Sequence, residues 1–379
     1  IYRKPSNPLL PMTDWNYCRE TLPKVSRTFA LNISALKGNL HKSILTAYLF
    51  CRIIDTVEDA SKLAPGKKIG LLLDFHRLIH NPEYRASALA PWVEACREAD
   101  GSPNDLDLLL QTPRVFNVFD SLPEAHRQQI VPSVARMAQG MAYFQKKFDS
   151  GKLTLLDNEK ELEEYCYFVA GCVGEMLCSL FFVEIPNLAE DAKTTMLRNA
   201  VSFGLGLQMT NISKDFLVDR QRGWSYIPRS LIVESGLTVD EFSSGKSIEK
   251  NLQVIRSLLR KTLGHLQDAL KFTLAIPNNQ CRIRIFCIWP LWMAMETVAV
   301  LLDNRDLVNS EDPVKISRAT VKKILRWTPA ICYSNFLLKR SFNKILKRCD
   351  CGEPPPFDFA DLQKRLNKIS FDTPKASYA

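Results

Sequence analysis

The 379-residue chain lacks alternating β-branched runs closed by hairpin turns, which argues against a sandwich or a barrel. No Gly-x-Gly-x-x-Gly follows a strand, which excludes a Rossmann-type dinucleotide site. Histidine is scarce, at five residues. His76 and His80 stand one helical turn apart, but nothing nearby supplies a third ligand, so they read as ordinary helix residues. Cysteine is present without a framework. The eleven residues are odd in number, scattered and mostly in apolar surroundings, as expected of small buried hydrophobes in a reducing compartment. The Cys349-x-Cys351 pair has no second pair at metal-ligand spacing, which makes it a weak zinc signal.

Long apolar runs are also wanting. The two most apolar, Tyr167 to Val183 and Phe286 to Leu302, each carry a glutamate (Glu175, Glu296). Each is short against the roughly 20 residues of a membrane span, so both read as helices buried in a large core. No internal repeat, low-complexity linker or signal peptide is visible, and the chain starts at Ile1 rather than Met, as a processed or trimmed N-terminus would. The formal charge of +9 suits a polyanionic ligand or an acidic membrane surface. No sustained basic block accompanies it, so solvated Lys and Arg are the plainer account.

What the sequence does have is helical periodicity. With 46% hydrophobic and 24% charged residues it is long enough for one large core or two domains. Apolar residues recur at i, i+3, i+4 over Leu40 to Ala60, Lys68 to His80, Gln128 to Lys147, Glu159 to Val183 and Ala189 to Phe216. The same spacing marks Ile248 to Ala275, Ile283 to Leu301 and Val314 to Leu338. Turn chemistry separates them, as in Ala64-Pro65-Gly66, Gly101-Ser102-Pro103, Ile185-Pro186-Asn187 and Pro277-Asn278-Asn279. The expectation is a single all-α domain over 1–379, with a polar tail after Cys351 that is peripheral or mobile.

Chemistry concentrates in two acid pairs. Asp55 and Asp59 end the apolar run ILTAYLFCRII, four residues apart, with Glu58 between them. On a helix this spacing puts two carboxylates on one face, roughly 5–6 Å apart at Cβ. A solvated helix end would explain one such pair. Asp215 and Asp219 repeat the spacing in GLGLQMTNISKDFLVD, and Gln208 and Asn211 lie on the same stripe upstream. Polar groups buried there without partners would cost on the order of 1–3 kcal/mol each. Two pairs facing each other across a cavity suit Mg²⁺ ions that complete their shells with water and phosphate oxygens. Arg27, Arg52, Lys214 and Arg222 are then available to neutralise a diphosphate. If diphosphate leaves an allylic carbon, a carbocation remains, and its pocket must exclude water and offer aromatic faces. Apolar helices rich in small residues stand beside the acids: Ala170, Gly171 and Gly174 on one, Phe203, Gly204 and Gly206 on the other. The small residues signify close helix packing or room for an isoprenoid chain.

These residues resemble those of the squalene and phytoene synthases, head-to-head trans-prenyltransferases of the all-α isoprenoid synthase fold. The landmarks run in family order from about Val25 to about Lys323: SRTFALNI (Ser26 to Ile33), DTVED (Asp55 to Asp59), EYCYFVAGCVGEM (Glu164 to Met176), QMTNISKDFLVD (Gln208 to Asp219) and RGWSYIP (Arg222 to Pro228). The resemblance implies that Asp55, Asp59, Asp215, Asp219 and Asn211 hold Mg²⁺, with Mn²⁺ as the alternative ion. Glu58, off the Asp55–Asp59 axis, joins them as a ligand or stands behind them. It further implies that Arg27, Arg52, Gln208, Asn211, Lys214 and Arg222 bind substrate, and that Tyr165 acts in the ionisation and cyclopropane-forming steps. Phe286 is similarly implied to stabilise cations.

Within the family DTVED and the Val314-Lys315-Ile316 segment resemble the squalene type, which places Lys315 and Arg318 at an NADPH site. Three departures stand out: Val218 replaces an acid, Trp224 an arginine, and Ser317 a basic residue. The implied reaction is condensation of two farnesyl diphosphates to presqualene diphosphate and reduction to squalene. Dehydrosqualene, released presqualene diphosphate or phytoene are the products expected without the reduction. A non-catalytic assembly factor of the same fold is disfavoured, because both acid pairs, Tyr165 and Asn211 persist. The expected protein is a monomer without nucleic-acid partners. It is cytoplasmic or peripheral on a membrane for product release, and at the endoplasmic reticulum if an anchor beyond Ala379 has been removed.

Overall fold

The computed structural model describes residues 12–147, 154–221, 224–309 and 314–371. Helices dominate these segments; the one sheet among them is a parallel pair of two-residue strands, Thr154–Leu155 with Trp224–Ser225. Two long helices carry the acid pairs. The first, Gly38–Asp59, buries Phe50, Ile53, Ile54 and Val57 on its inner side and delivers its acids at its last turn. The second, Glu190–Gln221, runs along Ile248–Ala275 over most of its length. A third, Cys281–Leu301, packs against both of the latter two and against Arg27–Ser34, closing the bundle.

The periodic segment from Glu159 is one rod with a defect. Glu159–Cys166 and Cys172–Glu184 are α-helical, but Tyr167–Gly171 forms a π-helical turn between them. One extra residue in a turn re-aims every side chain after it, and such bulges recur at functional sites. Beyond the bulge the rod lies very close to its neighbour. A Cβ on Gly174 would meet the Ala200 carbonyl oxygen at 2.1 Å, and one on Gly204 would meet that of Ala170 at 2.2 Å. The small residues therefore serve close helix packing, and Ala170, Gly174 and Gly204 also line the central cavity.

Both apolar runs sit in helices longer than the runs themselves. Glu159–Glu184 has 26 residues and Cys281–Leu301 has 21, long and apolar enough to cross a membrane. Of their most apolar windows 56% and 67% lie buried inside the fold, and both helices wall the central cavity. Val314 to Leu338, which reads as one helix, is two: Arg318–Ile331 and Asn335–Leu346. Pro329 weakens the first near its end, and the Ser334 hydroxyl caps the second by accepting the N–H of Leu337.

The stretch after Cys351 is tied to the body more firmly than a loose tail. Arg365 on helix Phe359–Leu366 donates to the carboxylates of Glu164 (2.6 Å), Glu163 (2.5 Å) and Asp361 (3.0 Å), and to the carbonyl of Lys160 (2.7 Å). Phe371 sets its ring against Phe168 at 5.8 Å. These contacts are made by polar and aromatic residues spaced without long apolar periodicity, which is why the segment reads as peripheral.

Candidate active site

A cavity of about 630 Å³ opens between the helices, and both acid pairs line it. On Gly38–Asp59 the stripe Tyr48, Arg52, Asp55, Asp59 faces inward with Glu58 beside it. On Glu190–Gln221 the stripe is Gln208, Asn211, Asp215, Asp219, with Lys214 alongside. The i, i+4 spacing that suggested paired carboxylates thus brings two pairs to one space.

The first pair is crowded with negative charge. Burial pushes the Asp55 carboxyl up to about 7, against the pull of Arg52 and with the help of Asp59 and Asp105. Glu58 is buried, 6% exposed, and also raised well above the usual carboxylate range by burial and by repulsion from Asp59 and Asp55. Its Oε1 has no hydrogen-bond partner. Lys68 donates to the Glu58 backbone carbonyl at 2.8 Å rather than to the carboxylate. Arg52 is committed elsewhere too: its Nε and Nη2 donate to the two oxygens of Asp105, each at 2.8 Å. The guanidinium still lines the cavity, but its charge is already matched by the Asp105 carboxylate.

The second pair has a cation beside it. The Lys214 ammonium lies 3.2 Å from the Asp215 carboxylate and 3.5 Å from the Asn211 side-chain oxygen. Asn211 is exposed, and Asp215 and Asp219 are half-buried.

These donors fit a magnesium site. Hard carboxylate oxygens from two helices converge, an orphaned carboxylate oxygen sits among them, and burial together with like charge raises the carboxyls of Asp55 and Glu58. Among the described residues no three His, Cys, Asp or Glu gather tightly enough to enclose an ion. An ion held by Asp55, Asp59, Asp215 or Asp219 would therefore take its remaining oxygens from water or from a ligand.

Tyr165 sits in the buried wall, 3% exposed, on the turn before the π bulge. Its ring stacks on Tyr226 (centroids 4.4 Å apart, planes 20°), and the two hydroxyls are hydrogen-bonded. Burial raises both phenols well above their usual range, and the Glu58 charge adds to the shift. At neutral pH both are hydrogen-bond donors. Phe286 lines the apolar end, edge-on to Phe181 at 6.1 Å, with Phe203 and Phe272 adjoining.

Some expected residues fall elsewhere. Arg27 is exposed and is not on the cavity wall. Thr28, Phe29, Asn32 and Ile33 form the inward stripe of Arg27–Ser34, and at 100° per residue Arg27 projects from the opposite side. Lys315 and Arg318 are exposed and also off the wall, because helix Arg318–Ile331 packs on the outer side of Cys281–Leu301. Arg222 lies outside the described residues.

Three participants escaped the reading of the sequence. Tyr226 arrives from the segment after the short strand Trp224–Ser225, Asp105 from the helix Pro103–Leu110, and Asn32 from the Arg27–Ser34 stripe. Only tertiary folding brings the first two to the site. Asn32 did carry a signal, a lone amide at an inward position of an otherwise apolar stripe. It is fully buried, lines the cavity, and neither its Nδ2 nor its Oδ1 finds a protein partner.

Comparison with known proteins agrees with this arrangement. Residues 22–320 match the family model described as squalene/phytoene synthase. The chain belongs to that family. It is 31% identical over 293 residues to the squalene synthase of Mus musculus, a match that spans 76% of this chain and 64% of the mouse protein. It is 29% identical over 385 residues to the squalene synthase of Nicotiana benthamiana, covering 97% and 87% of the two chains. Among solved structures, the complex of TcSQS with the ligand BPH1237 superposes with a TM-score of 0.74 at 23% identity, over 93% of this chain and 96% of the other. At that identity the likeness shows the fold, which is that of the isoprenoid synthases.

Proposed function

We propose that the protein is a squalene synthase, condensing two farnesyl diphosphates head to head through presqualene diphosphate and reducing the product with NADPH. The observation that carries this reading is that both aspartate pairs line one cavity whose far end is apolar and aromatic. Bound Mg²⁺ would supply Lewis acidity and charge neutralisation for departing diphosphate. Asp55, Asp59, Asp215 and Asp219 would hold it, and Asn211 and Lys214 would meet the phosphate oxygens.

The chain's own residues supply the rest. The Tyr165–Tyr226 pair, kept protonated by burial, donates a hydrogen bond at the boundary between acids and apolar wall. Phe286, Phe203 and the residues around them exclude water from a cation and offer it ring faces. The Asp105–Arg52 pair holds the guanidinium in one orientation at the cavity edge, so that it presents a fixed positive face.

A second reading stops before the reduction. The position of Lys315 and Arg318 outside the cavity favours it, since a hydride donor bound there would need another route to the carbocation. Incubation with farnesyl diphosphate and Mg²⁺, with and without NADPH, followed by hydrocarbon extraction separates the two. Squalene that depends on NADPH supports the first reading. A product of dehydrosqualene or presqualene diphosphate that NADPH leaves unchanged supports the second. Recovery of no C30 product overturns both.

A further inference from the structure

The chain's positive charge is not spread over its surface. The stretch from Val314 to Cys349 holds ten of the 50 Lys and Arg and none of the 41 Asp and Glu, so the rest of the chain, 40 against 41, is close to neutral. All ten basic side chains are exposed. They are spaced at helical intervals rather than in a run, so no basic block is apparent until the helices form. Among the described residues only Arg348 of the ten has an acidic partner, Glu296.

The same two helices meet at an exposed apolar corner. Tyr333 is 60% and Phe336 69% exposed, with Leu337 beside them. Helix Asn335–Leu346 turns Leu338, Phe342 and Ile345 inward. Its outer face, centred on Phe336, carries Arg340 and Lys344 at i+4 and i+8, and Lys347 follows in the next turn. The corner is braced rather than loose: Arg284 donates to the Asn335 side-chain oxygen at 2.6 Å, and the Asn335 amide donates to the Leu274 carbonyl at 3.2 Å. The neighbouring residue Arg282 donates to the Ala35 carbonyl at 3.1 Å. That places the corner at the same end of Cys281–Leu301 as the exposed Phe29 and Leu31, of which Phe29 also borders the cavity.

We propose that this surface docks on a bilayer rich in anionic phospholipid. An aromatic corner ringed by unpaired Lys and Arg on a rigid helix pair has the chemistry of a peripheral membrane anchor. The rings enter the headgroup region while the cations meet lipid phosphates and carboxylates. Exposed aromatic residues distinguish it from a purely polyanionic partner, for which charge alone would suffice. The proposal is independent of the reaction catalysed, and its test involves no turnover.

Flotation of the full chain with vesicles of phosphatidylcholine, pure or with 30% phosphatidylserine, is the measurement. Binding is expected to be at least tenfold tighter to the anionic vesicles and to vanish at 0.5 M NaCl. The variant Arg340→Glu/Lys344→Glu/Lys347→Glu should lose tenfold or more, and Tyr333→Ser/Phe336→Ser threefold or more. Arg19→Glu/Arg198→Glu/Lys364→Glu, on other faces, should bind as the parent does. Phe336→Trp gives a readout without charge change, a fluorescence blue shift on anionic vesicles alone. Equal binding to both compositions overturns the proposal, and so does an equal loss in the two triple variants. It is also overturned if duplex DNA displaces the vesicles and binds independently of Tyr333 and Phe336.

Discussion

At one end of the cavity Asp55, Glu58 and Asp59 crowd together, and Asn211 and Asp215 line the same space from the second long helix. At the other end Gly174 and Gly204 let two helices touch backbone to backbone, and Phe181, Phe203 and Phe286 wall the space that remains. At the acid end the Glu58 Oε1 has no protein partner, whereas the apolar end is walled by close-packed helices and rings. Groups left unsatisfied are available to a ligand, and groups already satisfied hold the ligand's space in shape. Mutations at the two ends should therefore separate activity from stability.

The largest effect is expected at the acid end. Asp55→Asn and Asp219→Asn should each lower kcat by about 10³, or about 4 kcal/mol in transition-state stabilisation. Thermal stability should hold or rise in Asp55→Asn, because a buried like charge has been removed from a crowded set. Turnover of farnesyl diphosphate and a thermal melt on the same samples check both halves. EDTA should abolish turnover and added Mg²⁺ restore it. A metal-independent activity in the parent would break the comparison at its centre.

Gly204→Ala is the mirror case. The added methyl would lie 2.2 Å from the Ala170 carbonyl oxygen and 2.8 Å from the Gly171 nitrogen, both backbone, so neither can swing aside. The expected cost is roughly 3 kcal/mol of stability, seen as a lower urea midpoint. Activity per folded molecule should fall less than in the aspartate variants. An unchanged midpoint would mean that the helices part easily and that the apolar end is not rigid.

Asn32 blurs the contrast, since it is a polar side chain in the apolar half. Its buried amide has no protein partner, so Asn32→Val should stabilise the unliganded protein by about 1–2 kcal/mol. If the amide holds a ligand oxygen or a water during turnover, KM or the product pattern should change with it. A destabilised variant would show that the amide is satisfied in solution.

Much of this division was legible in the sequence because helical spacing is. Asp55, Asp59, Asp215 and Asp219 announced themselves by i, i+4 repeats at the ends of apolar helices, and Gln208 and Asn211 by their place on the same stripe. Spacing gives a side chain's face but not its neighbour in space. Arg52 read as free for phosphate, yet Asp105, 53 residues on, occupies its fork. Tyr226 could not be paired with Tyr165 from spacing, because the pairing of Thr154–Leu155 with Trp224–Ser225 that draws their segments together joins strands far apart in the sequence. Arg27 shows the opposite limit. Its motif is right but its helical angle turns it outward, a 100° step that a motif does not record.

The smallest effect expected is at Phe286, where the two ends of the cavity meet in function. Its ring is 6% exposed and packs edge-on to Phe181, so Phe286→Leu keeps an apolar side chain of lesser bulk in place. A packing role alone predicts a stability loss of about 1 kcal/mol and no change in kcat. A ring facing a developing cation adds roughly 1 kcal/mol of transition-state stabilisation, or about a fivefold drop in kcat at unchanged KM. Phe286→Tyr retains the ring and should keep most of the rate. The pair of variants measured side by side therefore reads the electronic contribution apart from the steric one. If Leu and Tyr lower kcat equally, the apolar end acts through shape alone, and the acid end carries the chemistry unaided.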